Sequence, residues 1–588
     1  MLKRVVGPLS FLFFAWFVVA NNDARTIIAG VAIFLIGMHY MEDGFKLFSG
    51  GALEDVLERF TSTTPRAIAT GFLTTAVVQS SSLVSVIIIS FLSAELIGLT
   101  EAVGVVFGSN IGTTATAWLV SAFGLKLKID HYALPMLIFG VIMQFSRHLT
   151  YRGLGSILIG LGFIFLGISY MKDGFETLKE GLNLAEYAMA GYLGVLVYVF
   201  FGVIATVIIQ SSSATMAIII TALATGQIDY INALALAIGA NIGTTVTAAL
   251  GALASNKNGK RLAVAHFIFN MITGIFAVIF IYQLKDLVDF LAPLLFISNT
   301  DNAMRLALFH TIFNVIGVLM VAPFIHNLVR YLETLFRDQV RGRGQPKYLT
   351  SEVMEIPATA LAALRKETIH LYDKSLEAIV HAMNLHRTEI FSVRDIDEIV
   401  GHSKPKIKID VDQVYQQDIK TLYGEIIRYA SITQKYMDED ANNEVYELKL
   451  TARRIVEMVK DVRELQKNLN YYARRHNIET IEVYDKLRAQ LIAVLRKIQQ
   501  VRSNQGEAED ILTQIEVQRE IVNKSEVRLN HEVDTLIRDN KIDSNTASSL
   551  INDIGFAHSI SKKLLRAAIT LWVRNEEVKK LGDEYGYE

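Results

Sequence analysis

"VVQSSSLVSV", from Val77 to Val86, sets an amide and three hydroxyls in a row, Gln79, Ser80, Ser81 and Ser82, inside a hydrophobic stretch. A single serine in a membrane helix bonds back to the carbonyl four residues earlier. Four successive polar side chains point about 100° apart around a helix and cannot share one polar neighbour. Lipid offers no partners either, and each unsatisfied polar group there costs several kcal/mol. A break in the helix at the tetrad resolves the conflict. Freed amides at the start of the second half-helix hold an anion, while hydroxyls and freed carbonyls hold a small cation.

The surrounding sequence supplies the setting. The chain has 588 residues, is 51% hydrophobic and has a mean hydropathy of +0.33. Up to about Leu328 it holds many apolar runs near the roughly 20 residues needed to cross a bilayer. These are Ile27 to Phe48, Ala67 to Leu92, Ala102 to Phe123, Ala133 to Phe145, Leu154 to Met171, Ala188 to Ile209, Ala214 to Ala224, Ala233 to Leu253, Leu262 to Leu284 and Ala303 to His326. Residues 1–25 read as a first membrane helix, with a signal peptide as the alternative; Lys3 and Arg4 then hold the N-terminus in the cytoplasm. The net charge of −2 and the lack of a basic face exclude a nucleic-acid binder. Without cysteine there is no disulfide framework, thiolate metal site or thiol nucleophile.

Internal repeats carry the reading further. "GMHYMEDGF" from Gly37 matches "GISYMKDGF" from Gly167, 130 residues on. "QSSS" recurs as Gln210, Ser211, Ser212 and Ser213, and "GSNIGTTATA" from Gly108 recurs as "GANIGTTVTA" from Gly239, both 131 residues on. Matched breaks in two halves are the mark of an alternating-access transporter. In the glycine motifs, Gly108 and Gly112 permit close backbone approach or a turn. Asn110, Thr113, Thr114 and Thr116, with Asn241, Thr244, Thr245 and Thr247, offer neutral oxygens to a monovalent cation such as sodium. "RLAVAHFIFN" from Arg261 and "RLALFHTIFN" from Arg305 place His266 with Asn270, and His310 with Asn314, on shared helix faces, where they lock membrane helices together. Asp43-Gly44 and Asp173-Gly174 read as helix ends, and the glycine-rich run from Gly153 as a packing surface.

Beyond the basic stretch "RDQVRGRGQPK" from Arg337, whose charge places it in the cytoplasm, the chain becomes charged and amphipathic. Leu448, Ala452, Ile455, Val459, Val462 and Leu469 recur at helical steps, the pattern of a bundle with its own core. The fold class is all-α. A polytopic membrane protein with two inverted repeats, containing broken or re-entrant helices, is followed by a soluble helical bundle. The expected divisions are 1–25, repeat 1 over 26–165, repeat 2 with the final membrane helices over 166–330, a linker over 331–350 and the bundle over 351–588.

These motifs resemble those of the type II sodium-dependent phosphate cotransporters, over roughly Gly37 to Asn314. The resemblance is most specific in "IIQSSSATM" and "GANIGTTVTAALGALASNKNGKRLAVAHFIFN". It implies symport of inorganic phosphate with sodium as co-substrate and no cofactor, across a bacterial plasma membrane. The phosphate lies between Gln79 to Ser82 and Gln210 to Ser213. Asn241, Thr244 and Thr247 with Gln79 resemble the sodium ligands, with counterparts in Asn110, Thr113 and Thr116 with Gln210. The tail is similar to a PhoU-like domain, which implies phosphate-dependent regulation, a cytoplasmic location and a place for a regulatory protein; a homodimer is a further partner the resemblance leaves open. Acidic pairs that bind metal in such domains find echoes in Glu457 with Asp461, which read as surface ion-pair residues, and in Asp539 with Asp543, which fit by spacing in a turn.

Three rival readings stand beside this one. A membrane enzyme using a tetrad serine with His266 lacks a GxSxG elbow and gives no reason for duplication. A carrier of sulfate or a dicarboxylate fits an amide-lined anion site equally well. A membrane-anchored sensor would use the tail as its output.

Overall fold

A computed structural model describes residues 15–49, 56–57, 60–125, 130–181, 189–253, 257–336, 344–349, 354, 357–402, 410–472, 477–503 and 508–573. It is built of helices, with no strand among the described residues. The chain forms two compact units, Met1–Asp338 and Gln339–Glu588. Residues 1–14 of the N-terminal segment and 337–343 of the basic linker lie outside the described residues.

In the first unit two long helices, α1 (Asn22–Ser49) and α7 (Leu149–Gly181), carry the matched "YMEDGF" and "YMKDGF" blocks and pack together along their lengths; the expected division between 165 and 166 falls inside α7. Their seam is made of glycines at a seven-residue period: Gly30 meets Gly167, Gly37 meets Gly160 and Gly44 meets Gly153. A Cβ on Gly37 would lie 2.6 Å from both the Gly160 carbonyl oxygen and the Ile164 amide, so backbone touches backbone. This corrects the expectation for Asp43-Gly44 and Asp173-Gly174. Neither pair stops its helix, since α1 runs on to Ser49 and α7 to Gly181. Gly44 and Gly174 serve close approach instead, against Gly153 and Ile27.

Next in each repeat comes the broken helix. Ala67 to Leu92, continuous in hydropathy, is two helices, α2 (Thr64–Val78) and α3 (Ser81–Ser93). The second repeat has α8 (Gly191–Ile209) and α9 (Ser212–Ala224), and α3 and α9 are each 13 residues long. The motif helices follow: α4 (Leu99–Gly112) running into α5 (Thr114–Leu119), and α10 (Tyr230–Leu253). Gly108 and Gly112 sit inside α4, and Gly239 and Gly243 inside α10, so close approach rather than a turn is their use. Gly108 meets the Ile68 carbonyl of α2, and Gly239 meets the Val199 carbonyl of α8.

Between and after the repeats lie α6 (Asp130–Gln144), α11 (Lys257–Ile279), α12 (Ile281–Leu294), α13 (Asn302–Val321) and α14 (Ile325–Leu335). Two runs expected as single segments are divided. Leu262 to Leu284 is interrupted at Phe280, and Ala303 to His326 by a 3-10 turn, Ala322–Phe324, around Pro323, which has no N–H to give the ladder. Among the described residues six helices are long and apolar enough to cross a membrane. On α8, Leu193, Phe200 and Ile208 are 68%, 60% and 76% exposed, a surface that calls for hydrocarbon around it.

The second unit is a helical bundle of α15 (Pro357–Ala382), α16 (Lys420–Thr433), α17 (Glu439–Tyr472), α18 (Ile478–Ser503), α19 (Ala508–Arg538) and α20 (Ser544–Trp572), with short helices between. All six residues of the periodic set from Leu448 to Leu469 are buried in its core.

Candidate functional site

Both tetrads fold the same way. Gln79 ends α2 in the left-handed region at φ 59°, ψ 20°, and Gln210 ends α8 at φ 57°, ψ 24°. Each glutamine amide still closes the last turn, onto the Thr75 and Thr206 carbonyls at 2.8 and 2.7 Å. The next residue, Ser80 or Ser211, is extended and caps the following helix, its hydroxyl accepting from the Leu83 or Ala214 amide at 3.2 Å. Helix geometry leaves the first amides of a helix without internal acceptors, here those of Ser81 and Ser82 and of Ser212 and Ser213. The partial positive charge of the helix start lies at the same place.

The two halves meet at Thr116. Its hydroxyl donates to Gln79 Oε1 at 2.7 Å and stands 3.3 Å from Ser213 Oγ, which joins the first tetrad to the second. Ser80 and Ser213 are buried, Gln79, Ser81, Ser211 and Ser212 half-buried, and Ser82 and Gln210 exposed. No hydrogen bond to the Gln210 side chain is formed among the described residues, so the repeats match in backbone and differ in side-chain engagement.

A second network joins the glycine motifs to the His/Asn helices. His266 Nε2 lies 3.2 Å from Asn110 Oδ1 and 3.1 Å from Asn270 Nδ2, and one ring nitrogen serves one of these as donor or the other as acceptor, according to its tautomer. Asn270 Nδ2 donates to the Asn241 carbonyl at 3.0 Å and to Thr244 Oγ1 at 3.2 Å. Asn241 Nδ2 reaches Asn314 Oδ1 at 3.3 Å, and Asn314 Nδ2 donates to the His310 carbonyl at 2.9 Å. These contacts tie α11 to α4 and α10, and α13 to α10. Asn270 Oδ1 is left buried and without a hydrogen-bond partner.

Thr113 and Thr244 each donate their hydroxyl proton to the carbonyl three residues back, that of Asn110 at 2.7 Å and that of Asn241. With the proton so committed, the oxygen is left to accept, as a cation ligand must, and in Thr244 it already accepts from Asn270. Gln79 is hydrogen-bonded to Thr116 of its own repeat, and no hydrogen bond joins it to Asn241 or Thr244 among the described residues. The Thr247 side chain lies outside the described residues. In the second unit Asp461 Oδ2 accepts from Lys563 at 2.8 Å and Ser559 at 2.9 Å, while Glu457 pairs with Arg453 at 2.9 Å. Asp543 caps α20 by accepting from the Thr546 amide at 2.7 Å.

Sequence reasoning passed over Glu42. From α1 its carboxylate accepts from Ser80 Oγ at 3.0 Å and pairs with Lys46 at 3.1 Å. A signal was present: in the otherwise similar "YMEDGF" and "YMKDGF", Glu42 stands where the second repeat has Lys172.

Paired half-helix breaks that touch across a repeat boundary, within a polytopic helical unit, define a membrane carrier of the duplicated broken-helix class. The Na+/Pi-cotransporter family model matches residues 33–173 and 188–300, across both tetrads and both glycine motifs. The membrane unit is thus similar to that family across both repeats. It is 26% identical over 480 residues to the putative inorganic phosphate export protein YjbB of Escherichia coli (strain K12), covering 80% of this chain and 83% of that protein. It is 27% identical over 267 residues to YqeW of Bacillus subtilis (strain 168), 45% of this chain and 84% of that one. A segment of 87 residues, 14% of each chain, is 41% identical to the sodium-dependent phosphate transport protein 2C of Mus musculus. No solved structure matches the chain.

Proposed function

We propose that the protein moves inorganic phosphate across the plasma membrane by alternating access, coupled to sodium, with the anion between Gln79 to Ser82 and Gln210 to Ser213. The observation that carries this reading is the Gln79–Thr116–Ser213 contact, which links the break in one repeat to the break in the other. Sodium is assigned to Asn241, Thr244 and Thr247 with Gln79, and to Asn110, Thr113 and Thr116 with Gln210. Back-bonded threonine hydroxyls and the unpartnered Asn270 oxygen support a hard, monovalent cation there. We read the protein as a carrier and not an enzyme: His266 is engaged by Asn110 and Asn270, and no hydrogen bond joins it to a tetrad serine among the described residues.

Uptake of labelled phosphate into proteoliposomes, with and without an inward sodium gradient, tests this. Gradient-driven uptake is expected; equal uptake in both conditions removes sodium coupling. A second reading, outward transport, is favoured by the relatives named as putative phosphate export proteins, which align with 80% of the chain. Efflux from phosphate-loaded vesicles under an outward sodium gradient tests it. The second unit is read as a cytoplasmic, PhoU-like regulator. Truncation after Gln345 then leaves basal transport and changes its response to phosphate; loss of inserted protein contradicts that.

A further inference from the structure

The second unit contains an open cavity of about 250 Å³ between α17, α19 and α20, with Arg454, Arg519, Lys562, Lys563, Arg566 and the single carboxylate Glu516 around a floor of Ile515, Leu565 and Ile569. Like charges gathered across three helices oppose folding unless something offsets them. The unit's own carboxylates offset only part. Lys563 is held by Asp461 at 2.8 Å and Glu457 at 3.8 Å, and Arg519 by Glu516 at 3.1 Å. No ion pair is formed by Lys562 or Arg566 among the described residues. Arg454 reaches Glu447 only at 3.9 Å, and its Nη1 is buried with no hydrogen-bond partner. Desolvation, then the nearby Arg566, push the Arg454 guanidinium below its ordinary pKa, as a site lacking its counter-charge would show.

We infer that this cavity binds an anion carrying linked phosphoryl groups. Guanidinium forks pair with phosphate oxygens two bonds at a time, and Arg454, Arg566 and Arg519 line one space. At about 250 Å³ the space is large enough for a diphosphate or triphosphate group. Lys562 and Arg566, four apart on the exposed side of α20, form the rim through which the anion enters. This site is separate from the transport tetrads, and its occupant reports on phosphorylated compounds instead of the transported ion.

The shared chemistry has two sources, a soluble polyphosphate or nucleotide and a phosphate-bearing lipid headgroup. The test titrates the full chain, in nanodiscs of zwitterionic lipid, with diphosphate, tripolyphosphate and ATP; a second arm replaces part of the lipid with phosphatidate or cardiolipin and reads retention of those lipids. Arg454→Gln and Arg566→Gln are each expected to weaken binding by about tenfold, with Gln210→Ala and the control Lys524→Gln leaving it unchanged. Loss in the soluble arm supports the site and assigns a soluble ligand; loss in the lipid arm alone supports the site and assigns a headgroup. Should either arginine variant misfold, Lys562→Gln at the exposed rim carries the same expectation with a smaller loss. No saturable binding in either arm, or binding that the cavity variants leave intact, overturns the inference.

Discussion

Replacing each tetrad glutamine by glycine separates the backbone of the break from the chemistry of its side chain. Both glutamines hold φ near +60°, a conformation that costs a side-chain-bearing residue about 1–2 kcal/mol and glycine little. Gln210 is exposed and its side chain makes no hydrogen bond among the described residues, so Gln210→Gly should stabilise the fold by about 1 kcal/mol. Gln79 accepts from Thr116 and donates to the Ala76 carbonyl; losing two bonds at about 0.5–1.5 kcal/mol each cancels or reverses the gain. The two variants should therefore differ by roughly 2 kcal/mol in stability, with Gln210→Gly above wild type. Denaturation in mixed micelles reads the stability, and uptake by proteoliposomes reads transport, which both variants should lose. If Gln210→Gly is destabilised as much as Gln79→Gly, the left-handed break is wrong. If it is stable and transports normally, the Gln210 amide is not a ligand.

Gly160→Ala puts a methyl about 2.7 Å from the backbone of Gly37 and Met41; the forced separation of α1 and α7 should cost about 1–3 kcal/mol, read as a lower melting temperature in detergent. In the second unit, buried Asp553 accepts from Tyr484 at 2.6 Å and Asn468 at 3.1 Å, and desolvation raises its pKa from 3.8 to about 6. The folded state thus keeps a proton that the unfolded state has released, so stability is highest below the unfolded value and falls as pH rises from about 4 to about 6, by up to about 3 kcal/mol. Asp553→Asn should flatten that slope, followed at Trp572 with Trp16 and Trp118 replaced by Phe; an unchanged slope rejects the assignment. Glu42→Gln removes a negative charge bonded to Ser80 and should lower the KM for phosphate a fewfold; a raised KM would show that the carboxylate holds the tetrad in place.

Much of this was legible because membrane placement removes water as an alternative partner. Gln79 to Ser82 leave an intact helix no good answer, and the structure breaks there in both repeats. The helical bundle was legible too, since Leu448 to Leu469 repeat at helical steps and all become buried. Asp43-Gly44 misled because a glycine after an acidic residue has two uses. The choice between a helix stop and close helix contact depends on the Gly153 partner more than a hundred residues away. Glu42 was hidden for the same reason: nothing local to "YMEDGF" says that its carboxylate meets Ser80. The cationic cavity draws Arg454, Arg519 and Arg566 from three helices, and nothing local to any one of them says that they line one space.

The central claim is that both tetrads grip one anion. Equilibrium phosphate binding by wild type, Ser81→Ala, Ser212→Ala and the double variant measures it as a double-mutant cycle. A coupling of about 1 kcal/mol or more is expected if the two serines share a ligand. Strict additivity, with each serine contributing independently of the other, would contradict it.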